Sequence, residues 1–174
     1  MTLVYPTATP AQGNTKVQVC PAVPILTAPN LSADINAAGS LDISCFVRDW
    51  NPEITNNQGS APVRLCTTVQ LPEEGNTQFS PIELRYVYDP QAGATDDNKA
   101  KDLLVRGTIL YAVVRKGLDA QATDWAAGQM VEVWKFRCGR QNHLKSGDDE
   151  FAEYEIKQLI FPLLDPTYDV AIVA

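Results

Sequence analysis

Hydrophobic and polar positions alternate most clearly between residues 82 and 161. Four runs there read as strands: IELRYVYD, GTILYAVVR, QMVEVWKFRC and YEIKQLIF. β-Branched and aromatic residues recur in them at a period of two. Several runs carry apolar residues at both parities, which suits strands covered on both sides. In residues 82–89, Ile82, Leu84, Tyr86 and Tyr88 share one face. In residues 129–138, Val131 and Val133 lie on one parity, and Trp134, Phe136 and Cys138 on the other. That change predicts a bulge, or passage from one buried environment to another. One side of such a strand is expected to meet the chain's own core, and the other side another copy of the chain.

Between the first two runs, residues 89–101 read as a polar loop entering a short helix over about residues 96–105. Thr95 or Asp96 can cap it, and Asp97 suits its N-terminus electrostatically. Ala100, Leu103 and Leu104 form its apolar stripe, and Gly107 ends it. Lys116 and Gly117 turn the chain, and residues 118–128 form a loop around Trp125. Residues 139–149 (GRQNHLKSGDD) read as a polar loop, and VAIVA at 170–174 is short and apolar.

The first half is less regular. Residues 1–15 read as an extended arm. KVQVC at 16–20 alternates as a strand, and Pro21, Pro24 and Pro29 then break regular structure. Residues 41–47 predict a strand with Leu41, Ile43, Cys45 and Val47 on one face. Residues 51–60 (NPEITNNQGS) predict an exposed polar loop, residues 62–71 a strand, and PEEGN a closing turn. No repeat of fixed period is present. The elements predict a mainly β protein, with 1–174 as a single domain.

Composition narrows the class. Apolar residues make up 45% of the chain, enough for a packed core, which excludes wholesale disorder. The net charge of −7 argues against a surface that grips nucleic acid or an anionic membrane. No apolar run approaches the ~18 residues of a membrane span. The four cysteines, Cys20, Cys45, Cys66 and Cys138, lack CxxC or zinc spacing. The opening MTLVYPTATP lacks the features of a secretory leader. Synthesis in a reducing cytoplasm is therefore expected, with the cysteines free and buried.

Candidate chemistry is sparse. The single histidine, His143, reads as an exposed loop residue, although a general base or ligand role is conceivable near Asp148 and Asp149. Neither Asp96, Asp97 and Asp102 nor Asp148, Asp149 and Glu150 alternates as a calcium loop does. Trp50, Trp125, Trp134, Tyr86, Tyr88 and Tyr111 read as core and interface residues in preference to a sugar platform. No hydrolase or phosphate-binding motif occurs. The expectation is a non-enzyme with no catalytic residue, cofactor or metal site.

LRYVYDPQ, DDNKAKDLL before GTILYAVVRKG, AAGQMVEVWKFRCGRQ, EYEIKQLIF and the final VAIVA, in this order, resemble the major tail tube proteins of long-tailed phages with non-contractile tails, especially those infecting actinobacteria. The resemblance spans residues 82–174 and is looser before them. It implies a β-sandwich or barrel-like tail tube fold with one flanking helix, an N-terminal arm and extended loops. It also implies six-membered rings sharing an inner β-barrel and stacked into a tube around a tape measure protein. Distal tail and tail terminator proteins would be neighbours, and DNA would cross the lumen in transit without specific binding. The implied location is the virion tail, assembled in the host cytoplasm. Loops 51–60 and 139–149 and the arm 1–15 are the expected ring-to-ring contacts. A tail terminator or connector ring, a β-sandwich carbohydrate- or receptor-binding module, and a hydrolase with dispersed carboxylates are the alternatives.

Overall fold

The computed structural model describes residues 8–60, 72–92, 98–147, 150 and 152–174. These residues fold as a mainly β protein with a curled, barrel-like sheet. The sheet has seven strands: β1 (Thr15–Cys20), β2 (Leu41–Asp42), β5 (Ile82–Val87), β6 (Ile109–Lys116), β7 (Met130–Lys145), β8 (Tyr154–Pro162) and β9 (Thr167–Ala171). Its order is β2-β1-β6-β7-β8-β5, with β9 also on β7, and every pairing is antiparallel. β3 (Ile54–Ser60) and β4 (Pro72–Phe79) form a separate two-stranded hairpin. The helical elements are α1 (Lys99–Leu103) and one π-helical turn, Leu31–Ile35.

β7 is the spine. One edge of it pairs with β6. Along the other edge, β9 pairs with the stretch from Met130 to Val133, and β8 with the stretch from Phe136 to Lys145. The mixed apolar parity of this strand follows from two cores on opposite faces of the sheet. Trp134, Phe136 and Cys138 join the main cluster with Tyr86, Leu110, Ile156 and Ile160. Val131 and Val133 join a second cluster with Cys20, Val23, Val113, Ile35 and Ile172. At this point the face that carries Val131 and Val133 is covered by the chain's own π-turn and C-terminal residues, so the expected cover by another copy of the chain does not apply there. Val113 and Val114 of β6 show the same two-sided burial.

The side-chain alternation of β7 does change, but later. Cys138 pairs with Ile160, and Gln141 with Gln158, so one extra residue is accommodated near Gly139 and Arg140. The bulge brings Gln141 level with buried Gln158. A second irregularity lies where β9 faces Glu132, and there Asp169 adopts φ +51°, a conformation Asp tolerates better than most residues.

Several expected boundaries are corrected. The polar loop expected over 139–149 is strand as far as Lys145, because β8 supplies a pairing edge throughout. The strand expected over 41–47 is only Leu41–Asp42, since residues 44–46 turn: Phe46 and Val47 both donate to the Ile43 carbonyl. Cys45 is consequently exposed. Residues 54–60 are strand β3, and PEEGN lies in strand β4. The strand expected over 62–71, including Cys66, lies outside the described residues.

α1 is shorter than the helix expected over 96–105, and the proposed caps Thr95, Asp96 and Asp97 lie outside the described residues. Its N-cap is Asn98, whose side chain instead accepts from the Asp89 N–H and donates to the Asp89 and Ala92 carbonyls. Ala100 and Leu104 are buried in the main cluster, and Leu103 packs against it, as the apolar stripe predicts. Gly107, at φ +87°, supplies the left-handed turn into β6.

The π-turn has no counterpart among the expected elements. Asn30 accepts from the N–H groups of Ser32 and Ala33, and Asp34 returns the bond to the Asn30 N–H. The N-L-S-A-D string is the signal that could have located it.

Candidate assembly surfaces

The β3–β4 hairpin stands apart from the two cores. Every residue of β3 is exposed, and its sequence, ITNNQGS, is mostly polar. The pairing slips between Asn56 and Gln58, and Gly75 fits against this irregularity: a Cβ there would lie 2.7 Å from the Asn57 carbonyl oxygen. Among the described residues, neither outer edge of the hairpin is paired. Two-stranded hairpins are marginal alone in water, and open edges invite further strands.

Beside the hairpin base runs a ladder of charge on β5 and β8. Glu83 bonds Lys157 and, at 2.8 Å, Arg85 Nε. Glu155, which is buried, lies 3.6 Å from Arg85 Nη1 and 3.0 Å from Arg48 Nε. The Arg48 contact is an ion pair without hydrogen-bond alignment, so Glu155 Oε2 gains charge compensation but no directed donor. Arg48 also reaches Glu153 at 3.1 Å. The hydrogen bonds from Lys157, then Arg85, hold the Glu83 carboxyl below its ordinary pKa. The exposed pairs among these, Glu83 with Arg85 and Arg48 with Glu153, define a charged wall more than they stabilise the fold.

The loop 118–128 is organised by Arg115, which is fully buried. Its guanidinium donates to the carbonyls of Asp119, Thr123 and Asp124 and to Gln129, and it stacks over Trp125 with 5.2 Å between guanidinium carbon and ring centre. Burial lowers the Arg115 pKa against the opposing pull of Asp42, Asp119 and Asp124, and the direct hydrogen bonds to the charge come from carbonyl oxygens. The loop then holds the inner end of the N-terminal arm: Ala120 N–H donates to Gly13 O, and Gly117 N–H to Asn14 O.

The remaining candidate residues do not converge. His143 is exposed but lies on β7, with Nδ1 2.8 Å from the Tyr88 hydroxyl. Asp102 is exposed on α1, while Asp96, Asp97, Asp148 and Asp149 lie outside the described residues. Among the described residues, no group of three or more His, Cys, Asp or Glu is arranged to hold a metal ion. Trp50, Trp134 and Tyr86 are buried in the main cluster, whereas Tyr111 and Trp125 pack on the second. The six aromatics thus serve two cores on opposite faces and form no shared platform. Cys20 and Cys138 are free and buried, and Cys45 is free and exposed.

Among the described residues, the surface elements are therefore a hairpin with unpaired outer edges and a charged sheet face, as in a β protein built for assembly. The family comparison agrees: residues 2–174 match the family described as phage tail tube protein, and the chain belongs to that family. It is a structural tail tube protein, a component of the virion tail. No curated protein matches the chain.

Proposed function

We propose that this protein assembles with itself into six-membered rings that stack as the tail tube of a long-tailed phage with a non-contractile tail. The chain acts as one tail-tube domain, in keeping with a family match over nearly its whole length. The tube encloses a tape measure protein during assembly in the host cytoplasm, is bounded by distal tail and terminator proteins, and carries DNA during ejection. The actinobacterial host rests on the sequence resemblance of residues 82–174.

The observation that carries the reading is the exposed β3–β4 hairpin, neither outer edge of which is paired among the described residues. Neighbouring copies would pair these edges, extending one sheet around a ring. The net charge of −7, multiplied around a ring, favours passage of DNA over its retention, since like charges repel across the lumen. The test is negative-stain electron microscopy of the purified chain. Rings and stacked tubes are expected. Monomers alone at high concentration would count against the reading, and single unstacked rings would favour a terminator.

A further inference from the structure

The outer face of β6, β7 and β8 carries a patch that the described residues leave uncovered. Register places Ile109 beside Arg137, and Arg137 beside Phe161. Ile109 is 41% exposed, Phe161 41%, and Leu159, next but one along β8, 40%. Two further exposed arginines flank the patch. Arg106 precedes Gly107, whose N–H bonds the Cys138 carbonyl, and Arg140 follows at the bulge. Among the described residues, no carboxylate lies within ion-pair distance of Arg106, Arg137 or Arg140. Arg48 and Arg85, by contrast, are paired with acids.

The opposite chemistry lies elsewhere on the same sheet. Phe46, Tyr88, Pro90 and Tyr154 line an open groove of about 530 Å³, with Asp89 and Glu153 among its walls. Tyr154 is 57% exposed, and Asp89 has no basic partner among the described residues. Alternation along β8 puts Tyr154 on the side of Ile156 and Ile160, and Leu159 and Phe161 on the other. The groove lies at the Val87/Glu155 end of the β5–β8 pair, and the patch at the Ile82/Ile160 end. Five residues of strand separate these ends by about 16 Å.

We propose that a second copy of this chain docks its acidic aromatic groove on the arginine-centred apolar patch of the first. The proposal rests on the self-assembly reading and names the surfaces that carry it. Opposite faces and ends cannot meet within one protomer. Between protomers they form a heterologous contact, the kind that closes into rings or runs into filaments. Charge complementarity sets the pairing and makes it salt-sensitive, while Ile109, Leu159 and Phe161 supply the apolar contact.

The test is complementation by charge reversal. Arg137→Glu and Asp89→Arg are each compared with wild type for assembly by sedimentation and electron microscopy, with folding verified by circular dichroism. Each variant alone is expected to need at least a tenfold higher concentration to assemble. An equimolar mixture is expected to recover, because intact patches meet intact grooves and reversed patches meet reversed grooves. If Asp89→Arg fails to fold, Tyr154→Ala tests the groove and is expected to raise the threshold in the same direction. Assembly of Arg137→Glu at the wild-type threshold overturns this proposal alone, as does a mixture of folded single variants that stays dissociated. Wild type that remains monomeric overturns the self-assembly reading, and this proposal with it.

Discussion

The Tyr86 hydroxyl donates a 2.9 Å hydrogen bond to Oε1 of Gln158, and both side chains are fully buried. Gln158 Nε2 donates to the carbonyls of Leu104 at 2.8 Å and Gly139 at 3.0 Å. Gln141, brought level by the bulge, donates to Lys101 O at 2.8 Å and to Tyr86 Oη at 3.1 Å. The node thus meets carbonyls at the end of α1 that the short helix leaves unpaired, and fastens the helix to the bulge. Burial of the Tyr86 hydroxyl raises its pKa, so it remains a donor at any physiological pH.

Gln158→Leu keeps the shape of this node and removes its polarity. Two carbonyls and the Tyr86 hydroxyl lose a buried partner, at a cost of roughly 1–3 kcal/mol. Urea unfolding is expected to show that loss. Hydrogen exchange is expected to speed up in Lys99–Leu103 more than in β6.

The C-terminal residues are part of the second core. Ile172 is buried there, and its backbone bonds both Gly128 and Gln129. Ile172→Ala is expected to destabilise the fold by about 2–5 kcal/mol. Val173, 41% exposed, contributes through its backbone bonds to Pro29 and Leu31, so Val173→Ala is expected to change stability by less than about 0.5 kcal/mol. Denaturant midpoints of the two variants distinguish side-chain from backbone anchoring.

Glu83 makes stability depend on pH in one direction. Its folded pKa lies below its unfolded value of about 4.3. Its contribution is therefore fully present above the unfolded value and is lost as pH falls through the folded one. Glu83→Gln is expected to lower the melting midpoint near neutral pH and to converge with wild type at acid pH, below both values. Raising the salt concentration is expected to shrink the neutral-pH difference, because the groups are exposed.

Thiol reactivity separates the cysteines. Burial pushes the Cys20 thiol up to about 11 and the Cys138 thiol up to about 12. Neither supplies appreciable thiolate at pH 7, and neither is accessible. Cys45 is exposed. A maleimide applied to the native monomer is expected to label Cys45, and Cys20 and Cys138 only after unfolding. Peptide mapping by mass spectrometry reads each site.

The strands legible in the sequence are those whose pattern arises from local alternation. Ile82, Leu84 and Tyr86 point inward, as a period of two requires. Ala100 and Leu104 show the same legibility for α1. The polar stretches were harder to read. Residues 139–145 look like a loop by composition, yet β8 lies beside them and supplies ladder partners. Residues 54–60 carry no apolar face at all, so their strand character comes from pairing with β4. Gln141 and buried Gln158 gave no signal as partners in one polar node, because their meeting depends on a bulge and a helix end coming together at one place.

Taken alone, the sequence determined a mainly β chain, its flanking helix, a net negative charge and the order of elements that resembles tail tube proteins. These properties follow from local periodicity and summed composition. Only the tertiary structure decided that β7 lies between two cores, that its alternation shifts at Gly139 and Arg140, and that an exposed arginine surface and an acidic groove occupy opposite faces. Strand register and sheet order decide those placements, and both depend on pairings between residues distant in the chain.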